Sequence, residues 1–375
     1  MRKAFISPSK YVQGEKELNN LGYYIAQLGK KALIVGKEED IDRVSDQLAY
    51  TQDKFEVEFV NADFQGEVTR GEITHLQKIF KENHCDCLVG LGGGKAIDTA
   101  KCVAEGKNII IVPTIVAQDA PTSHLADIYH EDGSFDASAH FQDSPSVVLV
   151  DTAVIAKAPS RYLLAGMGDA LATYFEARAT RRSNSNVNAG QPNGIQDGIA
   201  QEAKGTNAAY ALARLAYDML LEHGQAAKLA SDLNQVTPAL EDIIETNVLL
   251  SGLGFESGGL AAVHAIYSGF SLLHEKSDAL HGEIVSFGTI CQLLMEDAPK
   301  AEVEQVLAFQ EAVGLPMTLS DIGFDDMTDE ELEAVAEKAM NPKGSIQSMP
   351  FDVTVQAVKS AILTADKLGQ TYKKG

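Results

Sequence analysis

Through the first half of the chain, short apolar runs alternate with stretches of helical period. KALIVG (31–36), FEVEFV (55–60), CDCLVGLG (85–92), NIIIVP (108–113) and SVVLVD (146–151) are rich in Val and Ile and predict strands. Between them, EDIDRVSDQLAY (39–50) and TRGEITHLQKIFKENH (69–84) repeat their apolar residues at helical spacing. Strands that alternate with helices predict a parallel sheet covered on both faces. Beyond about residue 160 the texture changes to long Ala/Leu/Glu-rich stretches with no convincing strand, at 206–223, 237–252, 258–274, 283–297 and 328–340. A boundary near Lys157–Ser160 therefore separates an α/β domain (1–159) from an all-helical domain (160–375). A cleft between the two is the natural place for a ligand.

The length, 375 residues, agrees with two cores rather than one. The formal charge of −22 excludes nucleic acid and anionic membranes as partners, because both need a basic face. A small anion is not excluded, since a few backbone N–H groups suffice to bind it. The N-terminal MRKAFISPSKYVQG lacks the apolar stretch and cleavage site of a secretory signal, and no run approaches the ~18 apolar residues of a membrane span. The four cysteines form no CxxC pair, and cytoplasmic, reduced thiols in the core are expected. NAGQPNGIQDGIAQEAKG (188–205) reads as an exposed polar loop.

Chemistry concentrates first in LVGLGGGKAIDTAKCVAEG (88–106). It is not a P-loop, because Val89 fills the first glycine position and Ala96 follows Lys95. It is not the dinucleotide GxGxxG either, because Lys95 stands where the third glycine belongs. Two readings remain. A diphosphate lies over Gly93 to Lys95 on the free N–H groups of the helix that follows, or the glycines serve only to tighten strand–helix packing. Three glycines where a turn needs one favour the first.

The helical half offers Asp169, His264 and His281, set in GMGDALATYFEAR, SGGLAAVHAIYSGF and SDALHGEIVSFGT. Taken singly, each histidine reads first as a satisfied core or cap residue. Two imidazoles and one carboxylate can also fill three positions around Zn²⁺ and leave one open. The spacing does not decide whether they meet. His75, His84, His130, His140 and His223 sit in polar surroundings and are expected on the surface, while His124 and His274 stay open.

GGGKxxDxAK, GDALAT and ESGGLAAxHA, in this order, resemble the metal-dependent (group III, iron-containing) alcohol dehydrogenase family in its polyol-oxidising branch. The resemblance runs from ISPSKYVQG to AVGLPMTL, nearly the whole chain. It implies the dehydroquinate synthase-like fold, a Rossmann-like α/β domain followed by an all-α domain. It also implies NAD, a metal ion, a homo-oligomer (dimer or octamer) and a small polyol substrate, first of all glycerol oxidised to dihydroxyacetone. Another diol, a 2-hydroxy acid or a 2-oxo acid is the alternative. A synthase of the dehydroquinate type and a non-catalytic nucleotide-binding protein fit these motifs less well.

By the same resemblance Asp169, His264 and His281 hold Zn²⁺ or Fe²⁺. Gly92, Gly93, Gly94, Lys95, Asp98, Thr114, Ser123, Leu125 and Tyr129 contact the cofactor, and Asp119 contacts the substrate. The implied chemistry is acidification of a hydroxyl by the metal and hydride transfer to the nicotinamide. No dedicated general base stands out, so the proton is expected to go to solvent or to a cofactor hydroxyl. Two residues depart from the family pattern. Lys37 stands where an acid would select against a 2′-phosphate, which leaves NADP open unless Glu38 or another neighbour serves instead, and Gln118 replaces a small hydroxyl residue beside Asp119.

Overall fold

The computed structural model describes residues 1–190 and 202–374. Eight strands are formed: β1 (Tyr11–Gly14), β2 (Lys31–Gly36), β3 (Glu58–Asp63), β4 (Cys87–Gly92), β5 (Ile109–Pro113), β6 (Leu125–Tyr129), β7 (Phe135–His140) and β8 (Val147–Asp151). Six of them make one wholly parallel sheet in the order β1-β8-β5-β4-β2-β3, and β6 pairs with β7 in a separate antiparallel hairpin. Successive residues of β2 serve different cores. Leu33 and Val35 join the larger one, which is continuous with the helical half, while Ala32 and Ile34 pack under the opposite face. A strand that must bury both faces reads as an unbroken apolar run, which is why this part of the pattern was plain.

Four of the predicted strands lie within two residues of the observed ones, but β3 starts three residues later than predicted. The preceding helix, Ser45–Phe55, consumes Phe55 before Glu56 turns left-handed at φ 52°. As an edge strand β3 is only partly buried, so its own apolar signal is weak. β1 has four half-buried residues and carries no readable signal, and β6 spans Leu125 to Tyr129, two residues expected to contact the cofactor, while β7 lies beyond them.

The helical half is built around a 24-residue helix, Ser160–Ser183, buried almost throughout from Leu163 to Thr180. The stretch predicted at 237–252 forms the Pro238–Glu245 helix, a π-helical turn over Thr246–Leu250, and a further helix, Ser251–Gly258. Gly259, at φ +102°, turns the chain into the Ala262–Phe270 helix. Of the polar stretch 188–205, residues 191–201 lie outside the described residues; Asn188–Gly190 forms a short turn, and Lys204 bridges to Lys3. All four cysteines are buried as free thiols.

The Ser160–Ser183 helix and the His281–Met295 helix approach at backbone distance through glycines. A Cβ on Gly282 would lie 1.8 Å from the carbonyl oxygen of Ala165, and one on Gly168 would lie 2.3 Å from that of Gly282. Neither partner is a side chain that can swing away. Gly282→Ala is therefore expected to cost about 1–3 kcal/mol through overpacking, read as a lower urea midpoint; an unchanged midpoint would show that the helices part freely.

Candidate active site

A cleft of about 800 Å³ opens between the two halves. Asp98, Ser123, Leu125 and Tyr129 line it from the α/β side, and His264, Tyr267 and His281 line it from the helical side. Asp119 lies between them.

One face of the long buried helix carries the chemistry. Asp169, Thr173 and Glu176 stand at i, i+4 and i+7, and so share a side of an otherwise apolar cylinder. Asp169 Oδ1 lies 3.1 Å from His281 Nε2 and 3.5 Å from His264 Nε2. One ligand atom from each of the three residues falls within 4.8 Å of the others. Thr173 meets Ser251 at 2.8 Å, and the Ser251 hydroxyl donates to Asp119 Oδ2 at 2.7 Å. The backbone N–H of Asp119 donates to Asp169 Oδ2 at 3.2 Å, which fixes the candidate substrate residue one hydrogen bond from the candidate ligand set.

Each imidazole is oriented from behind. Glu176 Oε1 accepts the N–H groups of Ala261 (2.8 Å) and His264 (3.0 Å), and its Oε2 meets His264 Nδ1 at 2.5 Å, leaving Nε2 aimed at Asp169. His281 is the first residue of its helix, and the Tyr267 ring packs edge-on against it with centroids 4.2 Å apart. Glu283 accepts the N–H of Leu280 and a two-point ion pair from Arg161, which ties that helix start to the start of the long helix.

The charges are strongly biased. Burial opposes a charge on Asp169, but His281 and His264 outweigh it and hold the carboxyl well below its ordinary range. Burial likewise opposes a charge on His264, yet Glu176 and Asp169 raise it well above the usual imidazole value. The Asp119 carboxyl is pushed far up, first by burial and then by Asp169 beside it. A pocket with this much buried negative potential attracts a cation, and one carboxylate with two imidazoles suits a divalent transition metal.

Across the cleft, β4 ends at Gly92, with φ +146°, and Gly94 opens an 11-residue helix that no side chain caps. Its first N–H groups are the donors a diphosphate needs. Thr114 is buried and its N–H donates to Gly92 O at 3.0 Å. Lys95 points elsewhere: its ammonium is 2.6 Å from Glu67.

Several functional positions escaped the sequence reading. Lys101, 1% exposed, donates to Ala120 O (2.6 Å), Ser123 Oγ (2.9 Å) and Leu125 O (3.0 Å), and pairs with Asp98 at 3.3 Å. It thus clamps the 119–125 segment to the glycine-loop helix. Burial pushes the Asp98 carboxyl up to about 6, with Lys101 acting against the shift. From the other side, Asn247 in the π-turn donates to Val116 O and Leu163 O, and Glu256 accepts both the backbone N–H and Nδ1 of the buried His124. His140, expected on the surface, instead lines the cleft half-buried, its ring 5.7 Å from that of His124. The hairpin folds its polar sequence inward there, which alternation alone does not reveal. His274, left open, is exposed. The seven-residue spacing of Asp169 and Glu176 in an apolar helix was the one signal that could have found Glu176.

Comparison with known proteins shows which family the chain belongs to. The family described as "Iron-containing alcohol dehydrogenase" matches residues 8–152. The chain is 41% identical over 374 residues to the glycerol dehydrogenase of Pseudomonas putida, covering 99% of each. It is 40% identical over 375 residues to the glycolaldehyde reductase of Halobacterium salinarum, covering both in full. The crystal structure of a probable glycerol dehydrogenase from Sinorhizobium meliloti superposes with a TM-score of 0.89 at 39% identity, covering 98% of this chain and 99% of that one. A parallel nucleotide-type sheet facing a helical domain across one cleft defines the class, and the chain belongs to the iron-containing alcohol dehydrogenase family. It is accordingly an alcohol dehydrogenase, whose chemistry calls for NAD and a metal ion.

Replacing Lys101 with Met strands the Asp98 carboxylate and three oxygens. Removing one partner of such a buried pair is expected to destabilise the protein by about 3–5 kcal/mol, measured by urea denaturation. A loss below ~1 kcal/mol would mean that the clamp is slack.

Proposed function

We propose that the chain is a metal-dependent, NAD-linked polyol dehydrogenase that oxidises the secondary hydroxyl of glycerol to give dihydroxyacetone. The convergence of Asp169, His264 and His281 on one point, facing the glycine-loop helix across the cleft, carries this reading. These three residues would hold the ion. Zn²⁺ is the ion of choice and Fe²⁺ the alternative, since imidazole suits both. When bound, the ion would supply Lewis acidity and the dinucleotide a hydride acceptor.

The protein's own residues position the reactants. Gly92, Gly93 and Gly94, with the helix start they open, hold the diphosphate. Asp98, Thr114, Ser123, Leu125 and Tyr129 flank the rest of the dinucleotide. Lys95, engaged by Glu67, contributes charge from the rim rather than a direct bond. Asp119, held by Ser251, offers a carboxyl to a neighbouring hydroxyl of the polyol, which selects vicinal hydroxyl compounds. Lys37 removes one acid that would repel a 2′-phosphate, so NADP is accepted as well unless Glu38 or Asp40, whose carboxylate lies 3.5 Å from the Thr114 hydroxyl, takes that part. Residues 1–159 form the cofactor domain and 160–375 the metal domain. A cytoplasmic homo-oligomer is proposed too, with Leu229 (57% exposed) and Leu233 (69% exposed) as apolar surface for self-association.

The likeness to a glycolaldehyde reductase supports a second reading, reduction of a two-carbon hydroxyaldehyde at the same centre. A panel of polyols, hydroxy acids and their oxidised forms, with NAD(H) and NADP(H), on stripped and metal-reloaded protein separates the two. Turnover of glycerol that vanishes with the metal and returns on reloading is expected. Turnover that survives chelation would overturn the reading. Glu176→Gln, which weakens the brace behind His264, is expected to lower metal affinity about 10–100-fold in a chelator competition. Asp119→Asn is expected to raise the KM for polyol roughly 3–10-fold, the worth of one hydrogen bond to a neutral carboxyl, while the KM for NAD stays nearly constant.

A further inference from the structure

The carboxamide of Gln118 is the least explained polar group at the centre. It lines the cleft, is half-buried, and makes no hydrogen bond to any described residue. It also lies against the start of the glycine-loop helix. A Cβ on Gly94 would fall 1.6 Å from Gln118 Nε2 and 2.7 Å from its Cδ. Gly94 has no left-handed backbone that would demand glycine, unlike Gly92 two residues earlier. The atoms nearest to position 94 are thus those of the amide resting on it, the movable end of a long side chain rather than backbone. In sequence the amide directly precedes Asp119, whose N–H is bound to Asp169. Two N–H donors without a protein partner therefore sit between an uncapped helix start and the candidate metal ligands.

We propose that Gln118 is a cofactor-contacting residue whose carboxamide donates to the diphosphate of the dinucleotide, adding a side-chain donor to the backbone N–H groups of Gly94 and its neighbours. This rests on the reading of the glycine loop as the dinucleotide site. The chemistry asks for a neutral donor at position 118. A carboxylate of the same shape replaces two donors with a charge of the ligand's own sign. A short hydroxyl loses reach but brings no repulsion.

The test is titration of the metal-loaded full chain with NADH, ADP and adenosine, followed by fluorescence or calorimetry, for the wild type, Gln118→Glu and Gln118→Ser. Gln118→Glu is expected to weaken NADH and ADP by roughly 10-fold or more, with partial recovery in high salt. Gln118→Ser is expected to weaken both by a smaller factor. Adenosine, which carries no phosphate, should bind all three proteins alike. NADH and ADP bound by Gln118→Glu as tightly as by the wild type would overturn this inference alone, as would an equal loss for adenosine. Failure of the wild type to bind NADH would overturn the cofactor reading, and this inference with it. The residue is partly solvent-facing and supports no packing contact in the core, so both variants are expected to fold.

Discussion

A carboxylate can stay charged inside a protein only if something nearby compensates it, and this molecule buries two of them on one face of a single helix. Asp169 and Glu176 are almost wholly removed from solvent in the Ser160–Ser183 helix. Each draws in donors from distant parts of the chain. Glu176 collects two backbone N–H groups and an imidazole at the start of the Ala262–Phe270 helix, and Asp169 collects the second imidazole and the N–H of Asp119. The position of three distant chain segments follows from those two oxygen pairs. Close approach is then secured without side chains, by glycines at the crossing with the His281–Met295 helix.

The segment from Val116 to Leu125 joins this centre to the sheet. Lys101 holds it from the glycine-loop helix, while Asn247, Ser251 and Glu256 hold it from the helical half. Every one of those anchors is a buried polar group whose alternative is an unsatisfied one, so the bridge is stiff for the same reason that the centre is. Stiffness matters here because Asp119 sits on the bridge, where residues of both halves meet the same hydrogen-bond network as Asp169.

The sequence made these parts legible to very different degrees. β2, β4, β5 and β8 announced themselves because burial of both faces forces an unbroken apolar run. The edge strand β3 was read three residues early and the short β1 was not read, because half-burial leaves no such run. Asp169, His264 and His281 were picked out as unusual residues in apolar surroundings, but their meeting is a tertiary fact that spacing does not encode. Glu176 looks like any helix glutamate until its distance from Asp169 is counted in turns. Lys101 lies within the glycine-rich motif but had no role assigned to it, and only the fold reveals that four oxygens surround it. His140 was misread for the converse reason, a polar neighbourhood in sequence that folds against the cleft.

The π-helical turn at Thr246–Leu250 has a consequence for how such a chain can drift. One π-turn houses a single residue more than an α-helical path of the same length, and each residue in a helix rotates the remainder by about 100°. Deleting one residue there would leave a smooth helix of equal apolarity and better hydrogen-bond geometry. It would also swing Ser251 away from Asp119 and Glu256 away from His124. Apolar-for-apolar replacements at Val248 or Leu250 are thus safer than changes of the segment's length, because the phase of everything downstream is reckoned from it.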